Sequence, residues 1–276
     1  MAGEEHPPTG SGKNSGISNR DFTDSRLLHM APPDWMAEGK QLLVHGETGH
    51  RLNRVLRARP GDRFTLVDPG KEVFSCIVID SVSSDRITLE IADRSAVTSD
   101  PSRPKVILCQ SLLSRFLEDA LRLGAESGAS QMWVLKTRRC APGAERGFKR
   151  GRIEAMATHA MEVARDPGHC AVDGPITVEQ MVERCSSMNI LPLALVPDGD
   201  CGLIDVQPRL VEGKFSGYAL VIGPEGGLTP GEIETVALSG GMKLSLGSRI
   251  LPGASAGGLA LFALSALARY QNTFSP

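Results

Sequence analysis

The chain has 276 residues, 41% of them hydrophobic and 22% charged, with a mean hydropathy of −0.09. That is enough apolar material for one large domain or two ordinary ones, and it excludes a globally disordered, collagen-like or low-complexity chain. Thirty Lys and Arg against 32 Asp and Glu leave a net charge of −2, which excludes a uniformly basic nucleic-acid coat while allowing local basic patches.

Residues 1–20 are polar and rich in Gly, Ser and Pro, and are expected to form a disordered tail. Their Thr9-Gly-Ser-Gly-Lys13 run glances at a phosphate-binding loop. Pro7 stands where the first glycine of that loop belongs, however, and no strand precedes it. The opening MAGEEHPP carries no apolar signal-peptide core, and six singly spaced cysteines form no C-x-x-C pair. Both features point to reduced thiols in a cytoplasmic protein without a zinc site.

Residues 21–100 read as a β-rich unit. Short strands are expected at Gln41-Leu-Leu-Val-His-Gly46, Phe64-Thr-Leu-Val-Asp68, Phe74-Ser-Cys-Ile-Val-Ile-Asp80 and Ile87-Thr-Leu-Glu-Ile91, with turns at Pro60-Gly-Asp62 and Pro69-Gly70. A small barrel is the natural way to close so many short strands. Between the first two lies a helical piece that puts Leu52, Val55 and Leu56 on one face and Arg51, Arg54 and Arg57 on another, with Arg59 following.

Pro101 and Pro104 mark a boundary, and residues 101–276 alternate strand and helix. Near-continuous apolar runs at Lys105–Cys109, Met132–Lys136, Ile190–Val196, Tyr218–Ile222 and Lys243–Leu246 predict strands buried on both faces. Helical faces recur at Leu113, Phe116, Leu117, Ala120, Leu121 and Gly124, and at Ile153, Met156, Ala157, Ala160 and Ala164. Thr177-Val-Glu-Gln180 and Thr229-Pro-Gly-Glu232 are capping boxes. The fold class is therefore α/β with a parallel sheet, preceded by the smaller β-barrel unit. Ile250–Ala268 is uncharged and opens with Leu-Pro-Gly-Ala. It predicts a buried helix of about 15 residues in a tight interface, too short for a membrane span.

Ligands of parallel α/β sheets bind beyond the carboxyl ends of the strands. Two strand ends here run into glycine loops: Val221-Ile-Gly-Pro-Glu-Gly-Gly-Leu-Thr-Pro230 and Leu244-Ser-Leu-Gly-Ser-Arg-Ile-Leu251. On adjacent strands they would frame a cleft for one small molecule. Basic side chains cluster twice, at Arg51, Arg54, Arg57 and Arg59, and at Lys136, Arg138, Arg139, Arg146, Lys149, Arg150 and Arg152, the second run holding Glu145 as its single acid. Such clusters can neutralise several phosphates of an RNA, and RNA recognised by shape needs few aromatics, which make up 4% of the chain.

The two glycine segments together resemble a divergent member of the bacterial 16S ribosomal RNA uridine-N3 methyltransferase family, of the SPOUT class. That family reads I-G-P-E-G-G-[FL]-[ST]-x-x-E and then L-G-x-R-I-L-R-x-E-T-A. This chain has Ile222-Gly-Pro-Glu-Gly-Gly-Leu-Thr-Pro-Gly-Glu232 and Leu246-Gly-Ser-Arg-Ile-Leu251. His50–Arg57 and Pro60–Asp62 are similar to the family's PUA-like RNA-binding barrel. The resemblance implies a C-terminal trefoil knot, a homodimer and bound S-adenosyl-L-methionine, without metal or membrane. The substrate would be 16S ribosomal RNA or the small ribosomal subunit. It implies a cofactor pocket formed by Val196, Ile222, Gly223, Gly226, Gly227, Leu246, Gly247, Ile250 and Leu251, with Arg249 and Glu225 as the catalytic candidates. Arg51, Arg54, Arg57, Arg138, Arg139, Arg146, Lys149, Arg150 and Arg152 are the RNA-binding candidates. The chain departs from the family in having Pro252-Gly-Ala-Ser-Ala256 for the R-x-E-T-A tail, Glu118–Gly124 without the usual Lys, and Met156-Ala-Thr-His-Ala160 for E-A-x-E-Q. A catalytically silent RNA-binding paralogue and a methyltransferase with another RNA target are the alternative readings.

Overall fold

The computed structural model describes residues 25–30, 34–69, 71–97, 105–211 and 214–274. The expected tail 1–20 and the boundary prolines Pro101 and Pro104 lie outside the described residues. The described chain forms two six-stranded sheets.

The first sheet contains β1 (Arg26–His29), β2 (Trp35–Glu38), β3 (Gln41–Val44), β4 (Arg63–Asp68), β5 (Glu72–Ser83) and β6 (Arg86–Ala96). Its order is β1-β4-β5-β6-β3-β2. β1 pairs parallel to β4, and the other neighbours are antiparallel. Among the described residues no ladder joins β1 to β2, so the pairing runs edge to edge without closing. Its core is Leu42, Val44, Leu52, Leu66, Phe74, Ile87 and Leu89, all buried. Strands β1 and β2 escape sequence reading because each has four residues and sits at an edge.

α1 (Gly46–His50) continues into a π-helical turn at Arg51–Val55. The N–H of Leu56 donates to the carbonyl of Arg51 at 2.9 Å. With bonds to the fifth residue back, a position three further on no longer returns to the same face. Leu52 is accordingly buried while Val55 is 65% exposed, which corrects the expected Leu52–Val55–Leu56 face.

The second sheet is wholly parallel, with β7 (Lys105–Ser111), β8 (Gln131–Leu135), β9 (Ala171–Ile176), β10 (Ile190–Leu195), β11 (Gly217–Ile222) and β12 (Met242–Leu244) in the order β12-β10-β11-β7-β8-β9. Every residue of β11 is buried, as a strand covered on both faces should be. On one face pack α2 (Leu117–Glu126), α3 (Arg150–Ala164), α5 (Leu203–Val211) and α7 (Gly253–Phe274). α4 (Val178–Ser187) and α6 (Pro230–Leu238) cover the other. Both expected capping boxes are formed, at Thr177 with Gln180 and at Thr229 with Glu232.

Three expectations are corrected in this sheet. β9 was not foreseen, because Asp173, Gly174 and Pro175 read as a loop; it is the sheet's edge strand, where proline leaves no ladder bond missing. α2 begins only at Leu117, since Phe116 adopts a left-handed conformation and is 65% exposed, leaving Leu113 and Phe116 outside the helix. α7 has 22 residues, and no described helix is long and apolar enough to cross a membrane. α7 lies tightly on α2: a Cβ at Gly258 would fall 2.3 Å from Leu123 Cγ, so only glycine allows that approach.

Candidate functional site

The first glycine loop leaves the carboxyl end of β11 and enters α6. Its turn is closed by the Gly227 N–H donating to the Pro224 carbonyl at 2.8 Å. Gly223 is required by packing, since a Cβ there would lie 2.8 Å from the main chain of Gly227 and Leu228. Three side chains then fasten the loop to its surroundings. Glu225 accepts from the Ser114 N–H at 2.9 Å and from its hydroxyl at 2.6 Å, tying the loop to the segment that follows β7. Desolvation opposes the charge on Glu225, but the Ser114 donors and nearby main-chain N–H groups outweigh it and hold the carboxyl below its ordinary range. Arg139 Nη1 donates to the carbonyls of Gly226 at 2.9 Å and Leu228 at 3.2 Å. Glu232 is buried, accepts from both N–H and hydroxyl of Thr229 at 2.8 Å, and accepts the Arg138 N–H at 2.8 Å.

The second loop follows β12. Its first residue is anchored: the Ser245 N–H donates to the Cys201 carbonyl at 2.8 Å, and its hydroxyl to Pro197 at 3.2 Å. Beyond Gly247 the chain is exposed, with Ile250 82% accessible. Among the described residues Arg249 has no ion pair.

A pocket opens between this loop and the end of β10. It is lined by Leu195, Val196, Pro197, Leu244, Leu246, Gly247, Arg249, Ile250, Leu251 and Ala256. Six of the sequence-derived candidates thus share one wall: Val196, Leu246, Gly247, Arg249, Ile250 and Leu251. The others, Ile222, Gly223, Glu225, Gly226 and Gly227, stand on the neighbouring strand end and are not in that lining. The two groups are bridged by Gly253, where a Cβ would lie 3.1 Å from the Gly223 carbonyl oxygen. Leu195, Pro197, Leu244 and Ala256 were missed because plain apolar residues carry no chemical signal in a sequence.

The pocket's chemistry suits a small ligand with an apolar face and a polar edge. Leu195, Val196, Leu246 and Leu251 enclose from the side, glycine exposes main-chain groups, and Arg249 supplies a positive charge with no counter-ion among the described residues.

The basic candidates divide sharply. Arg51 is committed to Glu162, donating Nη1 to Oε1 at 3.0 Å and Nη2 to Oε2 at 2.7 Å. The same buried carboxylate accepts the His29 N–H at 2.9 Å and faces His159 Nδ1 at 3.4 Å, so α3 is clamped to β1 and to the π-turn. Burial works against the charge of Glu162, yet the Arg51 and His29 donors keep its pKa below the ordinary value. Arg139 holds loop carbonyls, as described. Arg150 pairs with Asp173 and donates to the Val172 carbonyl at 3.1 Å. Arg152 pairs with Glu118 at 2.9 Å, and Arg146 folds back on Gly143. Arg54 and Arg57 are different: with Arg59, Asn53, Ser83 and Ser84 they line an open hollow of about 410 Å³ beside the π-turn. Neither has an ion pair among the described residues, nor does Lys149. Arg138 contributes its main-chain N–H to Glu232.

The family model described as an RNA methyltransferase domain matches residues 100–267. The ribosomal RNA small subunit methyltransferase E of Mycobacterium bovis is 26% identical over 239 residues, spanning 83% of this chain and 87% of that protein. The protein of the same name from Synechocystis is 27% identical over 250 residues, 91% of this chain and 80% of the relative. Among solved structures, a methyltransferase of Legionella pneumophila in complex with S-adenosylmethionine aligns with a TM-score of 0.72 at 26% identity, covering 88% of this chain and 98% of that one.

Proposed function

Because the chain belongs to the RNA methyltransferase domain family, we propose that it transfers the methyl group of S-adenosyl-L-methionine to ribosomal RNA, at N3 of a uridine in 16S rRNA. The observation that carries the reading is the pocket between the second glycine loop and the end of β10, at the strand ends where parallel sheets bind ligands. Its relatives named for ribosomal RNA methylation, and the Legionella structure with cofactor bound, support the choice of ligand and substrate.

The residues present fit the cofactor. Val196, Leu246, Ile250 and Leu251 would enclose the adenine, and Gly247 would let the main chain approach its polar edge. Ile222, Gly223, Gly226 and Gly227 would form the opposing side. When bound, S-adenosylmethionine supplies an electrophilic methyl group. The chain must present a uracil out of its stack and stabilise negative charge on the ring once N3 has lost its proton. Arg249 has the required charge, free of any carboxylate among the described residues, at the pocket wall. Glu225, already accepting from Ser114, is fitted to fix the loop and to orient substrate.

The assembly proposed with this reading has a PUA-like RNA-binding unit at 21–100 and a methyltransferase unit at 101–276. RNA would lie across the hollow of Arg54 and Arg57 and the exposed side chains of Arg138, Arg146 and Lys149. The trefoil knot proposed at the C-terminal end is in keeping with the main-chain pairing of Lys243–Ser245 with Val196 and Cys201, and with the packing of α7 on β11 and β7. The chain would work in the cytoplasm as a homodimer, and self-association is supported by the outward apolar side chains of α7, Leu259 and Phe262, 46% and 66% exposed.

Calorimetric titration with S-adenosylmethionine and with its demethylated product tests the reading. Micromolar binding, followed by methyl transfer to small ribosomal subunits lacking the uridine methyl group, is the expected result. Absence of heat up to millimolar ligand from folded protein would overturn it and leave RNA binding as the activity to seek.

A further inference from the structure

Arg139 lies in the basic stretch 136–152, where charge alone assigns it to RNA phosphate. Its geometry assigns it elsewhere. A single terminal nitrogen, Nη1, donates to two carbonyls of the first glycine loop, Gly226 and Leu228. The stem of the side chain lies along the same loop: a Cβ on Gly226 would fall 3.4 Å from Arg139 Cβ. The residue before it is fastened to the far end of the loop, the Arg138 N–H donating to buried Glu232 at 2.8 Å. Residues 138 and 139 therefore clasp both ends of the segment 226–232. A guanidinium suits this task because its donors are held in a rigid plane, so little freedom is lost when two acceptors are bridged.

We infer that Arg139 is a positioning residue of the methyl-transfer site: it fixes the Gly226 and Leu228 carbonyls, and with them the loop backbone that faces the cofactor, and is not a phosphate contact. This rests on the cofactor reading above for the identity of the ligand, while the clasp itself is a property of the loop. Since the loop's glycines resist few distortions by themselves, the clasp selects one backbone arrangement before ligand arrives, which lowers the ordering cost of binding.

The test uses the full chain with Arg139→Ala and Arg139→Lys. Three quantities are measured: affinity for S-adenosylmethionine by calorimetry, affinity for 16S ribosomal RNA as a function of salt, and amide exchange across residues 222–229. Positioning predicts that Arg139→Ala weakens cofactor binding about tenfold, the loss of roughly one charge-assisted hydrogen bond. KM for the cofactor rises more than kcat falls, exchange across 222–229 accelerates, and the salt dependence of RNA binding stays that of the wild type. Arg139→Lys recovers much of the cofactor affinity, since an ammonium also carries several donors. A phosphate contact predicts the reverse: RNA affinity falls, its salt slope drops by about one, and cofactor affinity and exchange are unchanged. That outcome overturns the inference. A wild type that binds no S-adenosylmethionine sinks the methyltransferase reading, and the exchange measurement still decides whether Arg139 holds the loop. Should Arg139→Ala fail to fold, Arg139→Gln, which is shorter and uncharged, supplies the same comparison.

Discussion

The two glycine loops look alike in sequence and are built on opposite plans. Residues 223–229 are held from outside by Ser114, Arg138 and Arg139, and from within by the Thr229–Glu232 box. The second loop has an anchored start at Ser245 and then runs exposed through Gly247 to Ile250, with Arg249 lacking a carboxylate partner among the described residues and Ile250 highly accessible. In the proposed cofactor site one side would thus be prepared in advance, and the other left to be completed by what it binds. Such a division is economical in chemistry: a fixed wall supplies shape, while a wall with unspent polar groups supplies charge where it is needed.

Substitutions can break this contrast. Arg249→Ala, on the open side, is expected to lower methyl transfer by about 10²- to 10³-fold, the usual result of removing a charge-stabilising group. It should leave the melting temperature almost unmoved, because an exposed side chain with no ion pair among the described residues contributes within about 0.5 kcal/mol to stability. Turnover assays beside a thermal melt check both parts, and a large loss of stability would blur the contrast. Gly223→Ala, on the fixed side, should do the opposite. Its Cβ collides with backbone, costing about 2 kcal/mol in stability, and cofactor affinity should fall more than tenfold in a calorimetric titration. Glu232→Ala removes the cap and strands the Arg138 N–H, for a loss of about 1–2 kcal/mol by denaturant unfolding.

The smallest expected effect is a dependence on pH. The folded-state pKa of Glu225 is depressed, so its contribution is fully present above the ordinary carboxylate value and is lost as pH falls through the lower folded value. Ser114→Ala removes the hydroxyl donor and should flatten the stability profile on the acid side of about pH 4.3, the ordinary glutamate value. The difference stays below about 1 kcal/mol for so exposed a group, and is read by comparing acid-unfolding curves of the two proteins.

Much of the parallel sheet is legible in the sequence because strands buried on both faces leave continuous apolar runs, as at Tyr218–Ile222. The edge strand β9 leaves no such trace: it carries Asp173, Gly174 and Pro175, which the edge tolerates and the eye reads as a loop. The pocket was legible where glycine or charge marks it, at Gly247 and Arg249, and invisible where Leu195, Pro197 or Ala256 completes it. Arginines were the least readable residues. Composition cannot tell Arg51, spent on Glu162, from Arg54, which faces an open hollow three residues later. What separates them is a partner more than a hundred positions away, and no local pattern encodes it.

That distance also bears on how the protein is made. Arg51 and Glu162 are separated by 111 residues, so a ribosome adding about 5–20 residues per second delivers the acid roughly 6–22 seconds after the base. The first sheet must wait through that interval with Arg51 and the His29 main-chain N–H still facing solvent. Its arrest against α3 is therefore a late event of synthesis, coming only after the first two strands and the second helix of the parallel sheet have emerged. A nascent chain halted before residue 162 would carry the first sheet without the latch that holds it to the rest of the enzyme.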